Sequence, residues 1–166
     1  MLGEPVARRL AADGNNVRVM SRSRQRVAAR FGEGFEAVGG DVEDAASLRK
    51  AMEGCTGVHL NLSGGADWDL ERRGAVTASK VALELAIRRL TIIAGARTRE
   101  DKGWFPVTKA KLEAERAITA SGVPHTIFRC TMSAMSRNLS RGNPSAGITL
   151  PSDRPPINSM VMKLMP

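Results

Sequence analysis

Tyrosine is absent from the 166 residues, and all aromatics together make up 4%. No phenol is therefore present to act as a general acid, and planar side chains on which bases could stack are scarce. There are two cysteines, Cys55 and Cys130. Two are too few for a disulfide scaffold, and no Cys/His cluster has the spacing of a zinc site. No apolar run approaches the ~18 residues that a membrane span needs. The opening MLGEPVARRL brings charge before any apolar stretch forms, unlike a secretory leader. The expectation is a soluble, cytoplasmic protein with neither a metal site nor a membrane partner.

What is present is a single domain's length of chain, 42% apolar, with a net charge of +8. The excess is spread along the chain: +2 over 1–50, +3 over 51–129 and +3 over 130–166. With no basic tail and no cationic helix face, this pattern argues against direct nucleic-acid binding and for a solvated, Arg-rich surface.

Two periodicities alternate. Helices are predicted over Gly3–Asp13, with Pro5 in the first turn and Gly14 closing it, and over Arg24–Phe31. Others are predicted from the N-cap Asp44 to Met52, over about Asp69–Ile87 and over about Val107–Ala120. Strands are predicted at Asn16–Ser21, Phe35–Val38, Gly57–Leu62, Leu90–Ala94 and His125–Phe128. Such alternation means βαβ units and a parallel sheet covered on both faces. The last 35 or so residues, rich in Ser, Pro and Gly, read as loop, with a helical pattern only at Met160–Met165.

The blocks VRVMSRS, GGDVEDAASLRKAMEGCTGVHLNL and KAKLEAERAITASGVPHTIFRC, in this order and spacing, resemble the NmrA-like group of atypical short-chain dehydrogenases/reductases. The resemblance covers about residues 1–132 and implies a Rossmann-like domain that binds NAD(P). It implies a dinucleotide-binding domain over 1–132 and, in 133–166, a loop-rich start of a substrate region. The family opens with a strand and a glycine-rich turn at the pyrophosphate. Here Met1-Leu2-Gly3 matches the end of that turn, and the strand itself is missing. In a doubly wound sheet that strand is central, so its loss is expected to leave two inner edges unpaired.

The resemblance also assigns roles. Gly3 is the last glycine of the turn. Arg22, just past a strand end where NAD-specific folds carry an acid, suits the 2′-phosphate of NADP(H) over NAD(H); the plainer alternative is a solvated helix start. Asp41 and Val42 border the adenine, although an acid there also suits an N-cap. Asn61, Ser63 and Gly64 sit where a ribose or nicotinamide approaches, or form an ordinary turn. Lys111 corresponds to the lysine of a Tyr-x-x-x-Lys motif, with Val107 in place of the tyrosine; the alternative is a surface lysine paired with Glu115. Trp104 and Phe105 either wall a substrate pocket or cap the core, and His59 and His125 read as structural. Three readings stay open: an NADPH-dependent reductase of a small molecule, a non-catalytic redox-sensing module, and an inactive fragment.

Overall fold

The computed structural model describes residues 3–62, 67–96 and 98–130, together with the backbone of 159–163. Helix α1 (Gly3–Ala12) precedes strand β1 (Val17–Ser21), and α2 (Arg24–Phe31), β2 (Phe35–Gly39) and α3 (Ala45–Met52) follow. Then come β3 (Gly57–Asn61), α4 (Leu70–Glu84), β4 (Arg89–Gly95), a 3-10 turn at Glu100–Lys102, α5 (Pro106–Ala120), β5 (His125–Cys130) and β6 (Ser159–Lys163). The helices start where local chemistry permits. Asp44 caps α3 by accepting from the backbone N–H groups of Ala46 and Ser47, and Pro106 opens the first turn of α5.

All strands run parallel in the order β2-β1-β6-β3-β4-β5. Alternation along the strands splits the core between the two faces. Val17 and Val19 of β1 face Ala7 of α1 and Val27 and Phe31 of α2. Met20, Val58, Leu60, Leu90 and Ile92 face α3, α4 and α5. Small residues let α4 and α5 approach closely, with Ala75, Ala78 and Ala82 on one and Ala110 and Ala114 on the other all buried. Helices on both faces of a parallel sheet match the fold expected from the alternation.

The centre of the sheet differs from expectation in two ways. Residues 159–163, within the stretch whose apolar spacing suggests a helix, form a strand, and β6 pairs with β1 on one side and β3 on the other. The inner edges expected to be bare are therefore hydrogen-bonded. A short apolar run satisfies either period; pairing with two open ladders, which no local pattern encodes, decides it here.

The winding turns around at β6: the chain runs outward from β1 to β2, then crosses to β3, β4 and β5. In such sheets ligands bind outside the carboxyl ends of the strands at this switch point. The amino ends of α1, α4 and α5 lie at the same edge, because each helix runs antiparallel to the strands it connects.

Candidate functional site

The carboxyl edge is built from strand ends and the turns that leave them. Ser21 closes β1 and is 4% exposed. Its carbonyl accepts from the Gly40 N–H at 3.0 Å and its hydroxyl from the Ser23 N–H at 3.3 Å, which ties the exits of β1 and β2 together. Arg22 projects from this exit as an exposed side chain, and Ser23 caps α2 by accepting from the Arg26 N–H. A guanidinium and a serine-capped helix start make a donor set suited to a phosphate.

After β2, Asp41 is exposed while Val42 is 1% exposed. The Asp41 Oδ1 accepts from the Glu43 N–H at 2.9 Å, so Asp41 shapes its own turn and leaves α3 to be capped by Asp44. The hydrogen bonds from Ser47 and from the backbone hold the Asp44 carboxyl below its ordinary range. Val42 lies against α4 at Gly74: a Cβ there would meet Val42 Cγ2 at 2.9 Å and Leu62 Cδ1 at 3.0 Å. Gly74 thus admits the ends of two loops against one helix.

Half-buried Asn61 ends β3 and is in register with Lys163 of β6. Ser63 and Gly64 lie outside the described residues. Gly3 is buried as the first residue of α1, which packs on β1 and β6, so its amino end sits beside the switch point. Topology therefore brings Gly3, Arg22, Asp41, Val42 and Asn61 to one edge.

Lys111 stands in the second turn of α5, and its partner is not the one the sequence suggests. Its Nζ lies 2.5 Å from Glu71 Oε2 on the first turn of α4, with side-chain exposures of 25% and 16%. The i,i+4 pairing with Glu115 is not formed. The Glu115 carboxylate is buried and is held by Arg129 of β5, with Nε at 3.2–3.3 Å and Nη2 at 2.5 Å. A forked guanidinium offers a buried carboxylate more than a mobile lysine does. Glu71 is one of three residues at this edge that sequence reasoning misses. Arg73, which binds three carboxylates, is the second. The third is Thr98, 2% exposed, whose hydroxyl lies 3.5 Å from where a Gly95 Cβ would be, at the end of β4. Glu71 and Arg73 depend on contacts between separate elements and Thr98 on its burial, so no local motif marks them.

Other candidates resolve plainly. Trp104 and Phe105 stack edge to face at 5.9 Å and are 78% and 48% exposed, so they do not cap the core. His59 is buried in β3; its Nδ1 lies 2.8 Å from Thr91 Oγ1, whose hydroxyl donates to the Val58 carbonyl. The Nδ1–H tautomer follows, leaving Nε2 without a partner, and burial pushes the imidazole down to about 4. The His125 ring bonds the Val123 carbonyl and Thr119. Cys130 ends β5, half-buried, and its carbonyl accepts from the Ala96 N–H. Among the described residues, no group of three or more His, Cys, Asp or Glu could hold a metal ion. No described helix is long and apolar enough to cross a membrane.

A polar cleft of about 410 Å³ opens at the opposite, amino edge, beside Arg18, Glu36 and Cys55. There the Arg18 guanidinium is committed to the carbonyls of Ala51 and Glu53 and to Glu36. Burial raises the Cys55 thiol, so it is no activated nucleophile. The cleft lies away from the switch point.

Comparison with known proteins agrees with this geometry. The model of a family described as NAD(P)H-binding matches residues 1–145. The chain is 34% identical over 149 residues to (4-alkanoyl-5-oxo-2,5-dihydrofuran-3-yl)methyl phosphate reductase of Streptomyces griseus subsp. griseus, matching 89% of this chain and 50% of that protein. Among solved structures, triphenylmethane reductase of Citrobacter sp. complexed with NADP(H) superposes with a TM-score of 0.68 at 22% identity, over 77% of this chain and 45% of that one. The NADPH-dependent quinone oxidoreductase QOR2 of Escherichia coli, complexed with NADPH, gives 0.67 at 18% identity, over 78% and 45%. These likenesses show a Rossmann-like fold, and the chain spans about half the length of the relatives it matches.

Proposed function

The chain belongs to the NAD(P)H-binding family, and on that premise we propose that it is a reductase domain holding NADP(H) in preference to NAD(H). The observation that carries this reading is the convergence of donors on the carboxyl edge at the switch point. The residues there suit a dinucleotide. The amino end of α1 at Gly3 faces the pyrophosphate. Arg22 pairs with the 2′-phosphate, while Asp41 and Val42 border the adenine. Asn61, with Ser63 and Gly64, approaches the ribose and nicotinamide, and Lys111 donates to the nicotinamide ribose. When bound, the dinucleotide supplies a hydride.

The chain's own part is to bind and orient. Glu71 accepts from Lys111 and fixes its ammonium, and the exposed Trp104–Phe105 pair offers a wall for a small-molecule substrate. With no tyrosine in the chain, the proton that follows the hydride comes from solvent or from the substrate pocket. Residues 1–132 form the body of the dinucleotide-binding unit. Residues 133–166 contribute β6 to its sheet and begin the substrate region. The protein works in the cytoplasm.

The missing tyrosine also favours a second reading, a redox-sensing module whose dinucleotide occupancy controls a partner without turnover. NADPH oxidation followed by absorbance, with a panel of quinones, carbonyls and a furanone phosphate, separates the two. Turnover identifies the reductase, and tight binding without turnover identifies the sensor. Failure to bind either dinucleotide refutes both.

A further inference from the structure

The first turns of α4 carry the sequence Leu70-Glu71-Arg72-Arg73-Gly74, and one guanidinium there gathers acids from two loops. Arg73 Nη2 lies 2.6 Å from Asp67 Oδ2, and Nη1 lies 3.1 Å from Asp69 Oδ2. Its Nε and Nη2 bond both oxygens of Glu43, in the turn that leaves β2. Asp67 and Asp69 lie where the chain enters α4, and Glu43 directly follows Val42. Beside Arg73, Val42 and Leu62 fill the space that a Cβ at Gly74 would occupy. The turn is closed internally as well, by the Glu43 N–H on Asp41 Oδ1 and the Asp44 N–H on the Asp41 carbonyl at 3.2 Å.

From this we infer that Arg73 is a positioning residue: its fork locks the Asp41–Asp44 turn onto α4 and so presets the adenine side of the dinucleotide site. This rests on the dinucleotide reading of that edge. The four side chains are 35% to 50% exposed, and exposed ion pairs individually contribute little to stability. What three carboxylates on one planar fork do supply is direction, since a guanidinium offers five donors at fixed angles and an ammonium does not. Asp67 and Asp69 are ionised at neutral pH. Arg72 and then Arg73 hold the Asp69 carboxyl down to about 2, and Arg73 lowers that of Asp67.

The test uses the full chain, wild type, Arg73→Gln and Arg73→Lys, with two readouts. Hydrogen exchange without ligand should show the Glu43 and Asp44 amides opening about tenfold faster in both variants, with α5 amides unchanged. Calorimetry should show adenosine 2′,5′-bisphosphate bound about tenfold more weakly, while nicotinamide mononucleotide stays within about twofold and Tm within a few degrees. Unchanged exchange at the turn overturns the inference. So does equal weakening of both fragments in step with a lower Tm, the signature of a purely structural arginine. If exchange rises but wild type binds neither fragment, the clamp is real and the dinucleotide reading fails, taking the positioning role with it.

Discussion

Gly74→Ala tests whether the loop ends after β2 and β3 are truly seated on α4. The added methyl would lie 2.9 Å from Val42 Cγ2 and 3.0 Å from Leu62 Cδ1, closer than carbon atoms pack. Val42 is 1% and Leu62 8% exposed, so neither can swing into solvent. Overpacking of this kind costs about 1–3 kcal/mol. Alanine in a helix interior gains back up to about 1 kcal/mol over glycine. The balance is a net loss of about 1 kcal/mol, which at a urea slope of about 2 kcal/mol/M moves the midpoint down by about 0.5 M. Val42→Ala alone should also destabilise, by opening a cavity. In the double variant the two changes share one space, so their costs should fall short of additivity by at least about 0.5 kcal/mol. Urea melts of the four proteins decide the matter. A higher midpoint for Gly74→Ala with full additivity would mean that helix propensity alone was changed and that the close approach is wrong.

Buried His59 makes stability fall with acid. The unfolded imidazole takes up a proton below pH 6.5, whereas the folded one resists until about pH 4. Stability present above pH 6.5 is therefore lost as pH falls towards 4, by ~3 kcal/mol in total. His59→Leu should flatten that part of the stability–pH curve, and an unchanged curve would show that His59 is hydrated. Lys111→Met should weaken NADP(H) binding about tenfold, the scale of one charged hydrogen bond, and Glu71→Gln should weaken it less. Equal affinities would return Lys111 to a purely structural pair with Glu71. Val161→Pro places a residue without an N–H in the central strand, between β1 and β3. A loss of about 3 kcal/mol or more, with association visible by light scattering, is expected. A monodisperse protein with wild-type Tm would show that β6 does not fill that position.

Local chemistry is what the sequence displayed well. The alternation of periods placed five helices and five strands, Asp44 declared itself as a cap, and His59 read as structural. What escaped depends on partners distant in sequence. Ser159–Lys163 pairs with strands about a hundred or more residues away, and its few apolar residues fit a helix as well as a strand. Glu115 looked like the neighbour of Lys111 on one helix. β5 instead brings Arg129 to Glu115, and α4 brings Glu71 to Lys111. No local pattern marks Arg73 as a clamp, because Asp67 and Asp69 lie close to it in sequence but Glu43 meets it only once the β2 exit folds against α4. The edge where the candidate residues gather was legible through the family resemblance. The contacts that orient them were not.

The central claim is that the carboxyl edge holds NADP(H) through the exposed arginine at the exit of β1. Calorimetric titration of NADP⁺ and NAD⁺ into wild type and Arg22→Ala tests it most directly. NADP⁺ should bind wild type about 10- to 150-fold more tightly than NAD⁺, the span of one charge-assisted hydrogen bond. Arg22→Ala should remove that preference by weakening NADP⁺ alone. Equal affinities in wild type, or a preference that survives in Arg22→Ala, would contradict the account.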